Sequence, residues 1–256
     1  MIGVAFDGTG YGTDGTLWGG EFLIADPAGF ERAGHFAPVP MPGGAAAIRQ
    51  PWRMAAVYLD AAYPDGAYPE GHPGDVARRN ERLWPGVLAM ARRQVNSPLT
   101  SSAGRLFDAV AALLGVRDES NYEGQAAVEL EQLADPAERG AYAAAITPQQ
   151  PFLVAGRDLV RAAAADLAAR VAPSTVAARF HHGVAGLIAD GCLLLRERHG
   201  LGTVALSGGV FQNLLLLHAT VSRLEAHGFA VLVHSRVPCH DGGISLGQAV
   251  VVAAAG

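Results

Sequence analysis

A strand, a glycine loop and the beginning of a helix follow one another in the segment Val204-Ala-Leu-Ser-Gly-Gly-Val-Phe-Gln-Asn213. The apolar run predicts the strand, and the adjacent glycines Gly208 and Gly209 allow the backbone to pass close to a bulky ligand. The free N–H groups of the next helical turn favour an anion such as phosphate. The segment therefore indicates a nucleotide site. An ordinary strand-to-helix turn is the alternative, because glycine also serves turn geometry.

The carboxy-terminal region continues this pattern into a βαβ unit over residues 203–234. An apolar helix follows Asn213, and residues 229–234 predict a second buried parallel strand. The polar segment Pro238-Cys-His-Asp-Gly-Gly243 then precedes a closing alanine-rich helix. Loops at the carboxyl ends of parallel strands gather around one crevice, so Asn213 and Asp241 are candidates for a shared site.

The beginning of the chain contains a second glycine-rich segment. Residues 3–6 and 16–24 predict two strands, with Asp7-Gly-Thr-Gly-Tyr-Gly-Thr-Asp-Gly15 between them as a hairpin loop. Small residues and hydroxyl groups suit the cradling of phosphate, and Asp7 at a strand end suits a hard cation. The pair Asp14-Gly15 by itself is also an ordinary hairpin turn signal.

Five sequence motifs, which occur in the family's order, resemble the carboxy-terminal domain of the hydrogenase maturation carbamoyltransferase HypF. The motifs are Val4-Ala-Phe-Asp-Gly-Thr-Gly-Tyr-Gly12 with Trp18-Gly-Gly-Glu21, Ser97-Pro-Leu-Thr-Ser-Ser-Ala-Gly-Arg-Leu-Phe-Asp108, Tyr122-Glu-Gly-Gln-Ala-Ala127, Ser207-Gly-Gly-Val-Phe-Gln-Asn213 and Asp241-Gly-Gly-Ile-Ser-Leu-Gly-Gln248. The resemblance implies an α/β chain with the actin/Hsp70-like ATPase fold. We expect an RNase H-like lobe with large helical insertions, without most of the first lobe.

The chain is expected to form a single HypF carboxy-terminal type of domain over residues 1–256. Its parts are the hairpin and strands in 1–44, a mainly helical region in 45–200, and the βαβ unit with the closing helix in 201–256. Within the helical region, helices are predicted after a cap at Thr100 or Ser101 and at 125–133, 159–171 and 174–198. Residues 61–75, rich in proline and glycine, predict a long surface loop.

The resemblance also assigns roles to particular residues. It implies that Asp7 and Asp241 ligate a divalent metal beside the nucleotide phosphates, with Mg, Fe and Zn all open. It implies nucleotide contacts for Gly8, Gly10, Gly12, Asp108, Glu123, Gly124, Ser207, Gly208, Gly209 and Asn213. Asp108, Glu123 and Gly124 would lie near the ribose, whose hydroxyl donors suit carboxylate acceptors. The alternatives are a solvated helix carboxylate at Asp108 and a charge that satisfies a helix dipole at Glu123.

The activity follows from the same resemblance. The complete enzyme converts carbamoyl phosphate and ATP to carbamoyl-adenylate, and then transfers the carbamoyl group to the carboxy-terminal cysteine of a HypE-like acceptor protein. This domain would bind ATP or carbamoyl-adenylate and perform the transfer, while carbamoyl phosphate and ATP enter through domains absent from this chain. The family's metal-binding histidine segment is also expected to be missing before Met1.

Two other functions fit the residues. The first is a non-catalytic module of the same fold, which binds an adenine nucleotide or docks a partner. The second is an Hsp70-like or sugar-kinase-like ATPase. Two local departures from the family bear on the choice. Leu214 stands where the family usually has a basic residue, and His240 stands where it usually has asparagine.

Composition excludes several classes of protein. The 19 basic residues are all arginine and face 24 acidic residues, for a net charge of -5, which argues against nucleic-acid binding. Without lysine there is no P-loop, Schiff-base or protein-kinase lysine. Two cysteines make neither a disulfide framework nor a four-cysteine zinc site, and Cys192 is expected in the core. Because neither a signal peptide nor a membrane span is evident, we expect a cytoplasmic protein.

Overall fold

The structure is a computed structural model that describes residues 1–68 and 73–255. Its strands are β1 Ile2–Tyr11, β2 Leu17–Asp26, β3 Gly29–Phe36, β4 Val39–Pro40, β5 Leu99–Thr100, β6 Ile146–Thr147, β7 Phe152–Val154, β8 Thr203–Ser207 and β9 Ala230–Leu232. Its helices are α1 Ala45–Arg49, α2 Trp52–Ala62, α3 Pro73–Arg79, α4 Trp84–Arg92, α5 Ala103–Leu113, α6 Gln125–Leu133, α7 Gly156–Ala168, α8 Pro173–His199, α9 Leu214–Ala226 and α10 Ile244–Ala255. Short 3-10 turns lie at Gly209–Gln212 and Asp241–Gly243.

The sheet is mixed, with the order β6-β7-β3-β2-β1-β8-β9. Strands β1, β2 and β3 form an antiparallel meander, whereas β8 lies parallel to β1 and β9 lies parallel to β8. Helix α9 connects β8 to β9, so the βαβ unit of the sequence prediction is present. Three antiparallel strands followed by two parallel ones form an RNase H-like sheet, and the parallel pair places the end of β1 beside the end of β8.

Strand β1 lies between β2 and β8 in the sheet. Its side chains alternate between the core and a partly exposed face. Ile2, Val4 and Phe6 are fully buried, which is the period of two expected of a strand. The ring of Phe6 lies 5.7 Å from that of Phe22 and 5.9 Å from that of Phe211, measured between centroids. The aromatic core therefore reaches the end of β1, immediately before Asp7.

The hairpin that the sequence predicted near the amino terminus is present, with a shorter loop between longer strands. Strand β1 continues to Tyr11, and Gly10 pairs with Trp18 of β2 beyond an irregularity in register after Phe6. Glycines in strands commonly mark such bulges, and here the bulge bends β1 where Asp7 and Gly8 lie. Strand β9 is also shorter than predicted.

The helices differ from the predictions mainly at their ends. Helix α5 begins after Ser102, whose side chain accepts a hydrogen bond from the N–H of Arg105, rather than after Thr100 or Ser101. Helix α6 has the predicted bounds, and α7 begins three residues earlier than predicted. The predicted loop at 61–75 is helical at both ends, where α2 ends and α3 begins, and residues 69–72 of it lie outside the described part of the chain.

The closing helix α10 leaves large apolar side chains in contact with solvent. They are Ile244, Leu246, Val250, Val251 and Val252, which are about half exposed or more. Contiguous apolar surface of this kind marks an interaction site more often than isolated exposed residues do. Within residues 1–68 and 73–255, no helix is both long and apolar enough to cross a membrane.

The aromatic core gives a first prediction. Phe6→Ala removes a buried ring between three others and is expected to lower the free energy of unfolding by about 3–5 kcal/mol. Phe30→Ala is the matched control, because Phe30 is 57% exposed, and it should cost less than about 1 kcal/mol. Urea unfolding measures both values. Equal losses for the two variants would contradict the placement of the core.

Candidate functional site

A cavity of about 380 Å³ opens at the carboxyl ends of β1 and β8. Its walls come from the end of β1, the first half of α5, one face of α6, the turn after β8 and the turn before α10. Because β1 and β8 are parallel, with Ala5 opposite Ser207, both chains leave the sheet on the same side. This is the edge at which open α/β sheets bind ligands.

The cavity brings together most of the residues that the sequence singled out. Those on its wall are Asp7, Gly8, Asp108, Glu123, Gly124, Gly209, Asn213 and Asp241. Four other candidates do not line it, namely Gly10, Gly12, Ser207 and Gly208. Residues from five separate segments of the chain thus meet at one edge of the sheet.

The candidates outside the cavity have structural partners of their own. A Cβ atom on Gly12 would lie 2.0 Å from Nε1 of Trp18, so the indole packs directly over this glycine. The Oγ atom of Ser207 is 3.1 Å from Nε2 of His234. The outer part of the hairpin therefore serves the packing of Trp18, which is why its glycines do not reach the cavity.

Gly208 joins the two loops that form the cavity floor. Its φ is +103°, and a Cβ atom there would lie 2.1 Å from the carbonyl oxygen of Phe6. Its N–H donates to the carbonyl oxygen of Cys239 at 2.7 Å, which ties the loop after β8 to the turn that carries Asp241. Glycine is required here for the close approach of two backbone segments, whereas the sequence predicted an approach to a ligand.

Asp7 and Asp241 lie on the same cavity wall although they stand at opposite ends of the chain. The Oδ1 atom of Asp7 accepts a hydrogen bond of 2.7 Å from the N–H of Gly8, and a Cβ atom on Gly209 would lie 3.0 Å from it. Asp241 is exposed, and the preceding His240 caps its turn by accepting from the N–H of Gly242 through Nδ1. In the described part of the chain, no group of three histidine, cysteine or acidic residues forms a metal site.

Helix α5 is held unusually close to the end of β1. A Cβ atom on Gly104 would lie 2.9 Å from Cα of Gly8 and 3.2 Å from the carbonyl oxygen of Asp7. The hydroxyl of Ser102 donates to the carbonyl oxygen of Asp7 at 2.9 Å and also contacts that of Gly8. The serine that caps α5 therefore fixes the backbone of the residues that open the cavity.

Asp108 and Arg105 form a buried ion pair in the wall. The guanidinium Nη2 lies 2.9 Å from Oδ2 of Asp108, and both side chains are nearly inaccessible. Burial raises the pKa of Asp108 to about 6, although Arg105 lowers it, and the nearby charge of Glu123 raises it further. The alternative of a solvated carboxylate at Asp108 is therefore wrong. Within the described chain, Nε and Nη1 of Arg105 have no hydrogen-bond partner.

Asn213 caps α9, because its Oδ1 accepts from the N–H of Leu216 at 2.8 Å. Its Nδ2 lies 2.9 Å from Nε2 of His181, a fully buried residue of α8. The other nitrogen of His181, Nδ1, lies 2.7 Å from the carbonyl oxygen of Ala177. No local sequence pattern assigns His181 a role, and its imidazole supports the cavity wall through Asn213.

Neither cysteine is activated by its surroundings. Cys192 is fully buried in α8, as the sequence predicted. Partial burial and the nearby charge of Asp7 raise the pKa of the Cys239 thiol, which disfavours the thiolate. Its surroundings therefore disfavour a nucleophilic role for Cys239.

Several cavity residues escaped the sequence prediction although a signal was present. Gly104 and Arg105 precede Asp108 by four and three positions, so a helix places all three on one side. In the same way, Ala127, Val128 and Glu131 follow Gly124 at helical spacing on α6. Extending each candidate by three, four and seven positions along its helix would have found them. Val210 and Gln212 lie within the loop that the sequence had already singled out.

Comparison with known proteins agrees with this geometry. Residues 3–248 match the family described as carbamoyltransferase, Kae1-like domain, second subdomain. The chain belongs to this family. It is 41% identical to the carbamoyltransferase HypF of Rhodobacter capsulatus over 98% of this chain and 32% of that protein. It is 39% identical to a HypF homolog of Cupriavidus necator over 99% of this chain and 65% of that protein.

A solved structure extends the likeness to the fold. Full-length HypF in its phosphate- and nucleotide-bound form superimposes with a TM-score of 0.91 and 39% identity, over 98% of this chain and 32% of that one. The predicted α/β fold and the resemblance to the HypF carboxy-terminal domain are thereby confirmed. This Kae1-like subdomain spans about one third of the length of the full-length HypF proteins that it matches.

The close approach of α5 to β1 gives a second prediction. Gly104→Ala places a methyl group against the backbone of Asp7 and Gly8, and is expected to lower the free energy of unfolding by about 1–3 kcal/mol. Gly86→Ala is the matched control, because Gly86 lies in α4 with open space around it. There the change should be neutral or stabilise by up to about 1 kcal/mol. Equal stability of the two variants in urea would contradict the contact.

Proposed function

We propose that the chain is the nucleotide-binding part of a carbamoyltransferase that acts in hydrogenase maturation. The observation that carries the proposal is the convergence of the β1 end, the loop after β8 and the Asp241 turn on one cavity. The hydrogen bond from Gly208 to Cys239 holds the last two together. The HypF relatives carry the same family of domain, and the HypF structure that superimposes on this chain binds phosphate and nucleotide.

The charge of the cavity favours a particular kind of ligand. Its described wall carries five carboxylates and one guanidinium group, which belong to Asp7, Asp108, Glu123, Glu131, Asp241 and Arg105. Such a wall repels a bare anion, so a phosphate group enters together with a cation. Ribose hydroxyls and an exocyclic amino group are donors that the remaining carboxylates can accept. An adenine nucleotide, ATP or carbamoyl-adenylate, satisfies both conditions.

The cation that fits this chain is a hard divalent ion such as Mg²⁺. Magnesium is commonly held by one or two carboxylates, with phosphate oxygens and water in its other positions. Asp7 and Asp241 supply those two carboxylates. Structural and catalytic zinc sites use three or four protein ligands, which the described residues of this cavity do not offer. When bound, the cation would neutralise phosphate charge.

The reaction is transfer of the carbamoyl group from carbamoyl-adenylate to the carboxy-terminal cysteine of a HypE-like protein. The cysteine thiolate attacks the carbamoyl carbon, a C–S bond forms, and the bond from that carbon to the phosphate oxygen breaks. AMP leaves with the electron pair, and the thiol proton has gone to solvent. The chain's own part is to hold the adenylate in position and to exclude water. A covalent intermediate on Cys239 is disfavoured, because the raised pKa of its thiol reduces the thiolate fraction.

A second function is supported by the exposed apolar side of α10. A non-catalytic module that binds nucleotide and docks a partner would present such a surface next to its ligand. Helix α10 begins directly after the turn that carries Asp241, so a docked protein would lie beside the cavity. The two functions differ in whether carbamoyl transfer depends on the cavity residues.

A chimeric enzyme tests the proposal. The corresponding third of Rhodobacter capsulatus HypF is replaced with this chain, and carbamoylation of a HypE carboxy-terminal peptide from carbamoyl phosphate and ATP is followed by mass spectrometry. We expect transfer by the chimera and a loss of at least about a hundredfold in rate for Asp7→Asn and for Asp241→Asn. Asp26→Asn is the control, because Asp26 lies in the exposed β2–β3 turn.

Release of pyrophosphate from ATP in the presence of carbamoyl phosphate shows that the remaining domains of the chimera form the adenylate. If pyrophosphate is released without transfer to the peptide, the catalytic proposal fails and the docking function is favoured. If the Asp7 and Asp241 variants transfer as fast as the Asp26 variant, the cavity is not the site of transfer.

A further inference from the structure

We propose that His181, a buried residue behind the cavity, orients the side-chain amide of Asn213 toward the ligand. The inference rests on the proposed nucleotide function of the cavity. His181 does not line the cavity itself, whereas Asn213 and Phe107, whose ring lies 5.3 Å from the imidazole, both do. His181 is therefore a positioning residue that acts through Asn213.

The hydrogen bonds of this network allow only one role, donor or acceptor, for each of its polar atoms. The carbonyl oxygen of Ala177 can only accept, so Nδ1 of His181 carries the proton and donates to it. A neutral imidazole with a protonated Nδ1 has an acceptor at Nε2, and Nδ2 of Asn213 donates to that atom. The Oδ1 atom of Asn213 then faces the N–H of Leu216, from which it accepts.

The reverse orientation of the amide is excluded by the same contacts. Exchanging Oδ1 and Nδ2 would set the amide donor of Asn213 against the N–H donor of Leu216. It would also set Oδ1 against the lone pair of Nε2. Burial lowers the pKa of His181 to about 4, which keeps the imidazole neutral near pH 7. Helix α9 and helix α8 thus fix the amide from two sides.

This orientation determines what Asn213 offers a ligand. An asparagine amide has two N–H donors and two carbonyl lone pairs. His181 and Leu216 each occupy one of them, so one donor and one lone pair remain. Without His181 the amide would keep the cap of α9 but lose the acceptor that holds its nitrogen, and the remaining donor would no longer be fixed relative to Asp7 and Gly209 on the same wall.

Three variants of the chain test the proposal, with Mg²⁺·ADP as the probe in calorimetry. His181→Phe keeps a ring among Phe107 and Phe180 but removes the acceptor, and is expected to weaken binding by about tenfold. His181→Gln retains an acceptor near the Nε2 position and should bind within about threefold of the wild type. Cys192→Ala is the control, because Cys192 is buried in the same helix away from the cavity and affects stability only.

A double-mutant cycle separates positioning from general destabilisation. If His181 acts through Asn213, His181→Phe changes the affinity by less than about twofold once Asn213 is already alanine. A tenfold loss that persists in the Asn213→Ala background would overturn the proposal. So would wild-type affinity in His181→Phe, or a tenfold loss in Cys192→Ala.

The imidazole itself provides a measurement that does not depend on ligand binding. Nitrogen-15 NMR of the wild-type chain should show neutral His181 with its proton on Nδ1, and a hydrogen-bond coupling from Nδ2 of Asn213 to Nε2. A proton on Nε2 would overturn the proposal. Because this measurement uses the wild-type chain, it remains decisive if His181→Phe fails to fold. If the wild type does not bind Mg²⁺·ADP, the proposed function fails, while the NMR result still decides whether His181 orients Asn213.

Discussion

The contact between the beginning of α5 and the end of β1 is the constraint on which the cavity depends. Ser102 caps α5 and also holds the backbone of Asp7, and Gly104 lets the helix approach to a distance that no side chain would permit. Because α5 is fixed at this point, Arg105 and Asp108 one turn later are carried into the wall of the same cavity. A cap, a glycine and a buried ion pair within seven residues thus build one side of the site.

The opposite side depends on backbone contacts of the same kind. Gly208 crosses over the backbone of Phe6 and bonds to Cys239, so the parallel strands β1 and β8 bring their following loops together with the Asp241 turn. Side chains that need a defined orientation are then held from behind, as Asn213 is by His181. The aromatic core around Phe6 supports both sides. The cavity is consequently formed by contacts within the fold itself.

Local pattern was enough to predict the βαβ unit, helix α6 and the loops that carry Asp7, Asn213 and Asp241, whereas the candidates on α5 and before α6 came from the family resemblance. The prediction was wrong for Gly10 and Gly12, which resemble loop residues in the sequence. In the structure Gly10 pairs with Trp18 across the strands, and the indole of Trp18 covers Gly12. Asp108 illustrates a second limit. Its burial depends on elements distant in sequence, so a pattern on α5 alone did not distinguish a solvated carboxylate from an ion pair with Arg105. The role of His181 depends on a contact across 32 residues, which no local pattern contains.

One cavity is proposed to hold a nucleotide and a cation together. A crystal structure of the chain with ADP and Mn²⁺, measured at a wavelength where manganese scatters anomalously, tests this directly. We expect an anomalous peak within about 2.6 Å of a carboxylate oxygen of both Asp7 and Asp241, with the nucleotide phosphates at the same ion and the ribose toward Glu123. A peak outside the cavity, or a nucleotide bound away from these two carboxylates, would contradict it.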